Sequence, residues 1–237
     1  MKRVLLVDAV EAPAERALGP TGSVEDWFGK HLNQLPDIEV ETFPASSPGV
    51  ADVAEDSAGI IISGSPRDAW ADTPDVLDLL ALVERLLAGR CKILGVCFGH
   101  QLLGRALGGD VRRNPAGWEV GSVTLELTPA GLASPLFTGF ASHFAAIQSH
   151  RDAVLSIPSS AKLLAQDAHT PIQAFSFEER AFGVQFHPEM DGEILRQVWA
   201  ERRERLRDQM EFDLDQALDS ADADASRVIH NFVAMLS

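Results

Sequence analysis

Cys97 and His187 stand in settings where a thiol and an imidazole could do covalent chemistry. Cys97 lies in the run Gly95-Val96-Cys97-Phe98-Gly99-His100-Gln101. The residues before it, Lys92–Val96, read as a buried strand, and Phe98–Leu107 has a helical pattern closed by Gly108-Gly109. The thiol is therefore expected at a strand-to-helix junction with G-x-C-x-G spacing, where small neighbours let the chain turn sharply and hold a nucleophile strained and exposed. A helix N-terminus favours thiolate, because its unpaired N–H groups and dipole stabilise negative charge. The N–H of Phe98 would point to where a tetrahedral oxyanion forms. This is the chemistry of a thiol hydrolase acting on an amide. Cys91, the other cysteine, reads as a buried structural thiol. A bridge between the two would silence Cys97, so a reducing, cytoplasmic setting is expected.

The base is expected in Phe186-His187-Pro188-Glu189. Pro188 disfavours helix at His187, which predicts an extended stretch where residues two apart share a side and Glu189 reaches the imidazole. A carboxylate that fixes the tautomer and steadies the imidazolium completes a triad of Cys97, His187 and Glu189. An H-x-E pair also suits a metal site, but no P-C-x-x-C run or ligand-spaced cluster accompanies it, so neither metal nor cofactor is expected. Helical phase turns His100 away from Cys97. His150, in the loop-like polar run Gln148-Ser149-His150-Arg151-Asp152, is a candidate for lining the site.

The elements that must hold these residues alternate. Val4–Val7, Ile38–Phe43, Gly59–Ile62 and Lys92–Val96 read as strands, the last two nearly all apolar as in strands buried on both faces. Helices are expected at Val24–Leu35 and Thr73–Ala88, the second opening on Thr73-Pro74-Asp75 with a cap, a first-position proline and an acid. That order implies an α/β fold with a parallel sheet covered on both faces. From about Glu119 the texture changes to closely spaced strands, Val120–Leu127, Phe144–Gln148, Lys162–Ala165, Ile172–Phe177 and Ala181–Gln185, suited to an appended antiparallel section. From Asp191 onward the pattern is helical with a break around Asp219–Ala225, its apolar stripes read as core packing. Residues 1–237 are read as one domain with a helical C-terminal extension from about 191. Glu11–Ser23 reads as a loop near the strand ends, and Trp70 and Trp118 as pocket walls.

The 237 residues carry a net charge of −15 with 46% hydrophobic residues. Such acidity argues against a nucleic-acid partner, which requires clustered Lys and Arg. The basic run Arg202–Arg207 is interleaved with acids and reads as a solvated helix face. No apolar stretch approaches the roughly 20 residues of a membrane helix, so no membrane association is expected. The Met1-Lys2-Arg3 start runs straight into a strand and does not read as a secretory signal.

Together the motifs resemble the class I (triad-type) glutamine amidotransferases. The resemblance rests on Gly95–Gln101 at the elbow, Ser63-Gly64-Ser65-Pro66 after a strand, and His187-Pro188-Glu189, in family order and separation across about four-fifths of the chain. It implies a flavodoxin-like α/β fold and release of ammonia from glutamine through a γ-glutamyl thioester on Cys97. It assigns a backbone N–H near Ser65 as oxyanion donor beside that of Phe98; Ser65 stands where Gly is often found, which leaves a backbone donor in place. It assigns Gly64 to the same loop, Gln101 to contact with bound glutamine, and Glu119, Val120 and Gly121, after Trp118, to the substrate's α-amino and carboxylate ends. Within the family the chain resembles GMP-synthase-like stand-alone amidotransferase domains and is similar to plant γ-glutamyl peptidases. The first likeness implies a partner synthetase that takes the ammonia; the second implies a free-standing hydrolase of γ-glutamyl compounds. No phosphate loop of the G-x-x-x-x-G-K-[ST] kind occurs. A non-catalytic regulatory module would be expected to have lost a triad member, and none is lost.

Overall fold

The computed structural model describes residues 1–10, 22–47, 49–206 and 212–236. Most of the loop expected at Glu11–Ser23 lies outside the described residues, as do 207–211 of the C-terminal section. The first half of the chain runs β1 (Lys2–Asp8), α1 (Val24–Leu32), β2 (Ile38–Pro44), α2 (Val50–Glu55), β3 (Gly59–Ile62), α3 (Pro74–Ala88), β4 (Lys92–Val96) and α4 (Phe98–Ala106). Then come β5 (Val111–Arg113), β6 (Glu119–Leu127), α5 (Pro129–Ala133), β7 (His143–His150), β8 (Asp152–Val154), β9 (Ala161–Gln166), β10 (Ala174–Phe177) and β11 (Ala181–Val184). Helices α6 (Gly192–Leu206), α7 (Leu214–Asp219) and α8 (Arg227–Ala234) follow.

One nine-stranded sheet has the order β2-β1-β3-β4-β11-β10-β9-β6-β7. β2, β1, β3, β4 and β11 run parallel, and the remainder joins antiparallel. This is an α/β, flavodoxin-like sheet flanked by helices, with an antiparallel section. Alternation along the strands divides the core. Val4, Leu6, Ile61 and Leu94 pack with α1, α6, α7 and α8 on one face, while Leu5, Val7, Ile60 and Ile93 pack with α2, α3 and α4 on the other. All four residues of β3 are buried, as a central strand requires.

Four local expectations are corrected. β11 was expected within the antiparallel section, yet on one side it pairs parallel with β4, Val184 opposite Val96. The stretch Gln148–Asp152 is not a loop: β7 runs through His150 and β8 begins at Asp152. Helix α3 starts at Pro74 as expected, but the Thr73 side chain makes no capping hydrogen bond. Helix α1 stops at Leu32 and begins on a capping box, Ser23 and Asp26 each bonding the other's backbone N–H.

Candidate active site

The carboxyl ends of β3, β4 and β11 converge, which is where open α/β sheets place their sites. β4 ends at Val96, and the Cys97 N–H donates to Val184 O of β11 at 2.9 Å. The chain then reverses into α4 with Cys97 at φ 50°, ψ −100°, a left-handed backbone that side chains other than glycine rarely adopt. The glycines beside it are sterically required. A Cβ on Gly95 would stand 2.5 Å from the Gly99 backbone, and one on Gly99 would stand 2.4 Å from Ile62 O. Cys97 thus sits at the first turn of α4, 6% exposed, with the N–H of Phe98 at the helix start.

β11 carries the imidazole to the same place. Its parallel pairing with β4 makes the segment after Val184 a neighbour of the elbow. The His187 N–H donates to Ile147 O of β7 at 2.9 Å, anchoring that segment on its other side. His187 and Glu189 meet as expected, Nδ1 to Oε1 at 2.7 Å, but not by strand alternation. Pro188 and Glu189 form a turn, closed by the Met190 N–H to His187 O. Burial alone would favour the neutral ring; the charges of Glu189 and Cys97 outweigh it and push His187 up to about 10. Gly64 lies against both partners, since a Cβ there would stand 3.0 Å from His187 Cε1 and 3.6 Å from Cys97 Cβ.

Two cavities meet at Cys97. The larger, about 370 Å³, has Ser65, Gln101, Trp118, Ser149, His150 and Asp152 among its walls. The smaller, about 40 Å³, is bounded by Val10, Val24, Trp27, His187, Glu189 and Met190. Ser65 lines both. Gln101 is oriented by donating Nε2 to Asp152 O at 2.8 Å and to Gln185 Oε1 at 3.1 Å. Arg202, read from the sequence as part of a solvated face, instead lines both cavities.

The segment assigned to the substrate's polar ends is placed differently. Trp118 does line the large cavity, but the Glu119 carboxylate is sealed behind it. Its Oε2 accepts from His150 Nε2 at 2.8 Å, Thr170 Oγ1 at 3.0 Å and Gln173 Nε2 at 2.8 Å. Burial would raise this carboxyl, yet the hydrogen bond and charge of His150 hold it below the usual range, while burial and Glu119 drive Asp167 up. Val120 lies on β6 outside the cavity walls, and Gly121 (φ 102°) packs against Ala217 O. His100 points away from the thiol, fully buried against Phe175, and burial pushes its pKa down to about 3.

Sequence reasoning missed a charged wall. Trp70 Nε1 donates to Asp152 Oδ2 at 2.8 Å, and Arg151 lies over Trp118 at 5.4 Å. Asp68 stands 3.5 Å from Arg151 and 4.0 Å from Arg113. Burial first, and then the charge of Asp68, raise Asp152 to about 6. Of the two tryptophans read as pocket walls, Trp118 lines the large cavity and signalled this wall, whereas Trp70 is not among the lining residues and reaches it only through Asp152. Among the described residues, no group of three or more His, Cys, Asp or Glu could hold a metal, and no helix is long and apolar enough to cross a membrane.

Residues 22–202 match the family model described as glutamine amidotransferase class-I. The GMP synthase (glutamine-hydrolyzing) of Aeropyrum pernix is 38% identical over 186 residues, covering 78% of this chain and 34% of that protein. Gamma-glutamyl peptidase 4 of Arabidopsis thaliana is 35% identical over 139 residues, covering 58% of this chain and 55% of that one. The chain thus spans about a third of the first relative and about half of the second. A crystal structure of a glutamine amidotransferase from Thermotoga maritima superposes with a TM-score of 0.71 at 21% identity, covering 98% of this chain and 94% of that one, a likeness of fold.

Proposed function

The chain belongs to the class-I glutamine amidotransferases, and from that premise we propose that it hydrolyses the γ-amide of glutamine through a thioester on Cys97. The observation that carries this reading is the elbow. Cys97 is held in a strained turn at a helix start, and β11 delivers a buried His187–Glu189 pair to its side.

Sulfur attacks the γ-carbonyl carbon in its anionic form, which the neighbouring imidazolium and the first turn of α4 favour. The carbonyl oxygen becomes an oxyanion, held by the N–H groups of Phe98 and Ser65. The intermediate collapses as the C–N bond breaks and the nitrogen takes the proton from His187, leaving ammonia and a γ-glutamyl thioester. Neutral His187 then removes a proton from water, whose oxygen attacks the thioester and releases glutamate and the thiolate. Glu189 keeps the ring in one orientation throughout. Gly64 lets the loop close on the pair, and Gln101 lies where the acyl chain passes. The domain is read as 1–237, cytoplasmic, and handing ammonia to a partner synthetase.

A second reading has its own support in the 35% identity to a gamma-glutamyl peptidase. Here the same machinery transfers the γ-glutamyl group of a small γ-glutamyl compound to water, without a partner. Purified protein assayed on glutamine and on γ-glutamyl dipeptides separates the two. Turnover of glutamine that rises when a synthetase is added supports the first. Turnover of dipeptides but not glutamine, without any partner, overturns it in favour of the second. Activity undiminished in Cys97→Ser would overturn both.

A further inference from the structure

The proton transfers of the hydrolase reading above, on which this inference rests, decide which side of Cys97 receives the departing nitrogen. Acylation ends when that nitrogen takes the proton of His187, so whatever the nitrogen carries must lie beside the imidazole. His187 lines the small cavity and is not among the walls of the large one. The leaving group therefore enters the small cavity, and the acyl half the large one. The small cavity is about 40 Å³. A water molecule in the liquid takes about 30 Å³, so ammonia, a molecule of the same size, fits with little to spare and an amino acid does not.

Its apolar walls are pinned through their backbone. The Val10 N–H donates to Asp8 Oδ1 at 2.8 Å, and the Ala9 N–H before it to Ser63 Oγ at 2.9 Å. Val24 opens α1 behind the capping box of Ser23 and Asp26, and Trp27 stands one turn on with its N–H bonded to Ser23 O. The Met190 N–H closes the turn at His187. All four side chains are buried and pack in one core cluster, so a larger group enters only if a wall side chain moves. The hydroxyls at this cavity are already bonded. Ser63 Oγ takes the Ala9 N–H and donates to Gly64 O, and Ser149 Oγ takes the Trp199 indole N–H. Glu189 differs: Oε1 holds His187, and among the described residues no donor reaches Oε2. A buried carboxylate oxygen without a donor is costly, and ammonia brings N–H bonds at the size the cavity allows. An amino acid would instead bring its own carboxylate toward Glu189 and against apolar walls. Arg202, which borders both cavities, carries the charge to pair with such a carboxylate, so the test includes one.

We propose that Trp27 and Met190, backed by Val10 and Val24, are the specificity-determining residues of the leaving-group cavity. They admit ammonia and exclude alkylamines and amino acids, so the primary amide of glutamine is selected from its nitrogen side.

Purified protein is assayed on L-glutamine, γ-glutamylmethylamide, γ-glutamylethylamide and γ-glutamylglycine, which share the acyl half and differ only in what the nitrogen carries. In the native protein kcat/KM is expected to fall about 10- to 100-fold with the methyl group and further with the ethyl, with γ-glutamylglycine slower than the methylamide. Met190→Ala should raise the ratio of ethylamide to glutamine turnover by about 10-fold, and Trp27→Phe, which keeps an aromatic ring should the first variant fail to fold, by about 3- to 10-fold. General loosening would lower both activities without moving their ratio. Native protein that turns over the ethylamide or γ-glutamylglycine as fast as glutamine, or a ratio untouched by both variants, overturns the proposal and leaves the hydrolase reading standing. Native protein that turns over no γ-glutamyl compound sinks the hydrolase reading instead. Calorimetric titration of Cys97→Ser protein with glutamine and the ethylamide then decides the cavity: tighter glutamine binding, with the gap narrowed by Met190→Ala, supports the proposal. Equal binding there, or no binding of either at millimolar concentration, overturns it.

Discussion

Among the described residues, two buried histidine–glutamate pairs have almost the same length, and their surroundings suit them to opposite tasks. His187 meets Glu189 through Nδ1 at 2.7 Å, and His150 meets Glu119 through Nε2 at 2.8 Å. The difference lies in what surrounds each pair. The other nitrogen of His150 faces Asp152 O at 3.0 Å, and the same Glu119 oxygen also takes bonds from Thr170 and Gln173. Every strong valence of that pair is spent on framework. His187 spends one nitrogen on Glu189 and keeps its other side toward Cys97, while no donor reaches Glu189 Oε2 among the described residues. An imidazole held at both nitrogens is a strut; one held at a single nitrogen can carry a proton.

Substitutions sharpen this contrast from the largest effect down. His187→Asn should lower kcat on the turned-over substrate by on the order of 10³- to 10⁴-fold, as for loss of a triad base, and should also lower the denaturation midpoint, because it leaves the buried Glu189 carboxylate without its partner. Glu119→Gln should spare the chemistry at Cys97 while costing about 2–3 kcal/mol of stability in a urea titration, because the amide lacks the charge that strengthens the bonds from His150, Thr170 and Gln173 and puts an N–H where the second oxygen was. Glu189→Gln keeps an oxygen for Nδ1 but loses the charge, and kcat should fall by roughly 10- to 100-fold. Were Glu119→Gln to abolish turnover in a fully folded protein, the strut would have to be promoted to the chemistry.

The smallest effect is a pH dependence. His187 is raised from an ordinary 6.5 to about 10, opposed by burial and favoured by Glu189 and Cys97. Its contribution to stability is fully present below pH 6.5 and is lost as pH rises toward 10. Glu189→Gln removes one cause of the raised value. The native protein should therefore lose more stability between pH 7 and 10 than that variant does, measured by urea midpoints at each pH. Equal slopes would mean that Glu189 does not hold the charge on the ring.

The same contrast shows what was legible in the sequence. His187 and Glu189 are two residues apart across a proline, so their meeting could be read locally, although a turn and not an extended strand brings it about. Cys97 was legible because its glycines are steric necessities of the elbow. β3 and β4 were legible to the residue as short apolar runs in the middle of the sheet. Glu119 and His150, by contrast, are cross-strand partners of β6 and β7, and nothing local announces a register. The parallel pairing of β11 with β4 is likewise a long-range fact, and it is what places His187 beside Cys97. The charged wall around Asp152 draws on α3's preceding loop and on β5 and β8, strands of three residues that leave little periodicity to read.

The central claim is that Cys97, and no other residue, carries the acyl group. Acid-quenching the protein during turnover of glutamine or a γ-glutamyl dipeptide, followed by peptide mass mapping, tests it directly. The account predicts a γ-glutamyl mass increment on the peptide bearing Cys97, none on Cys91, and neither increment nor turnover in Cys97→Ser. Turnover without an increment on Cys97, continuing in Cys97→Ser, would contradict it.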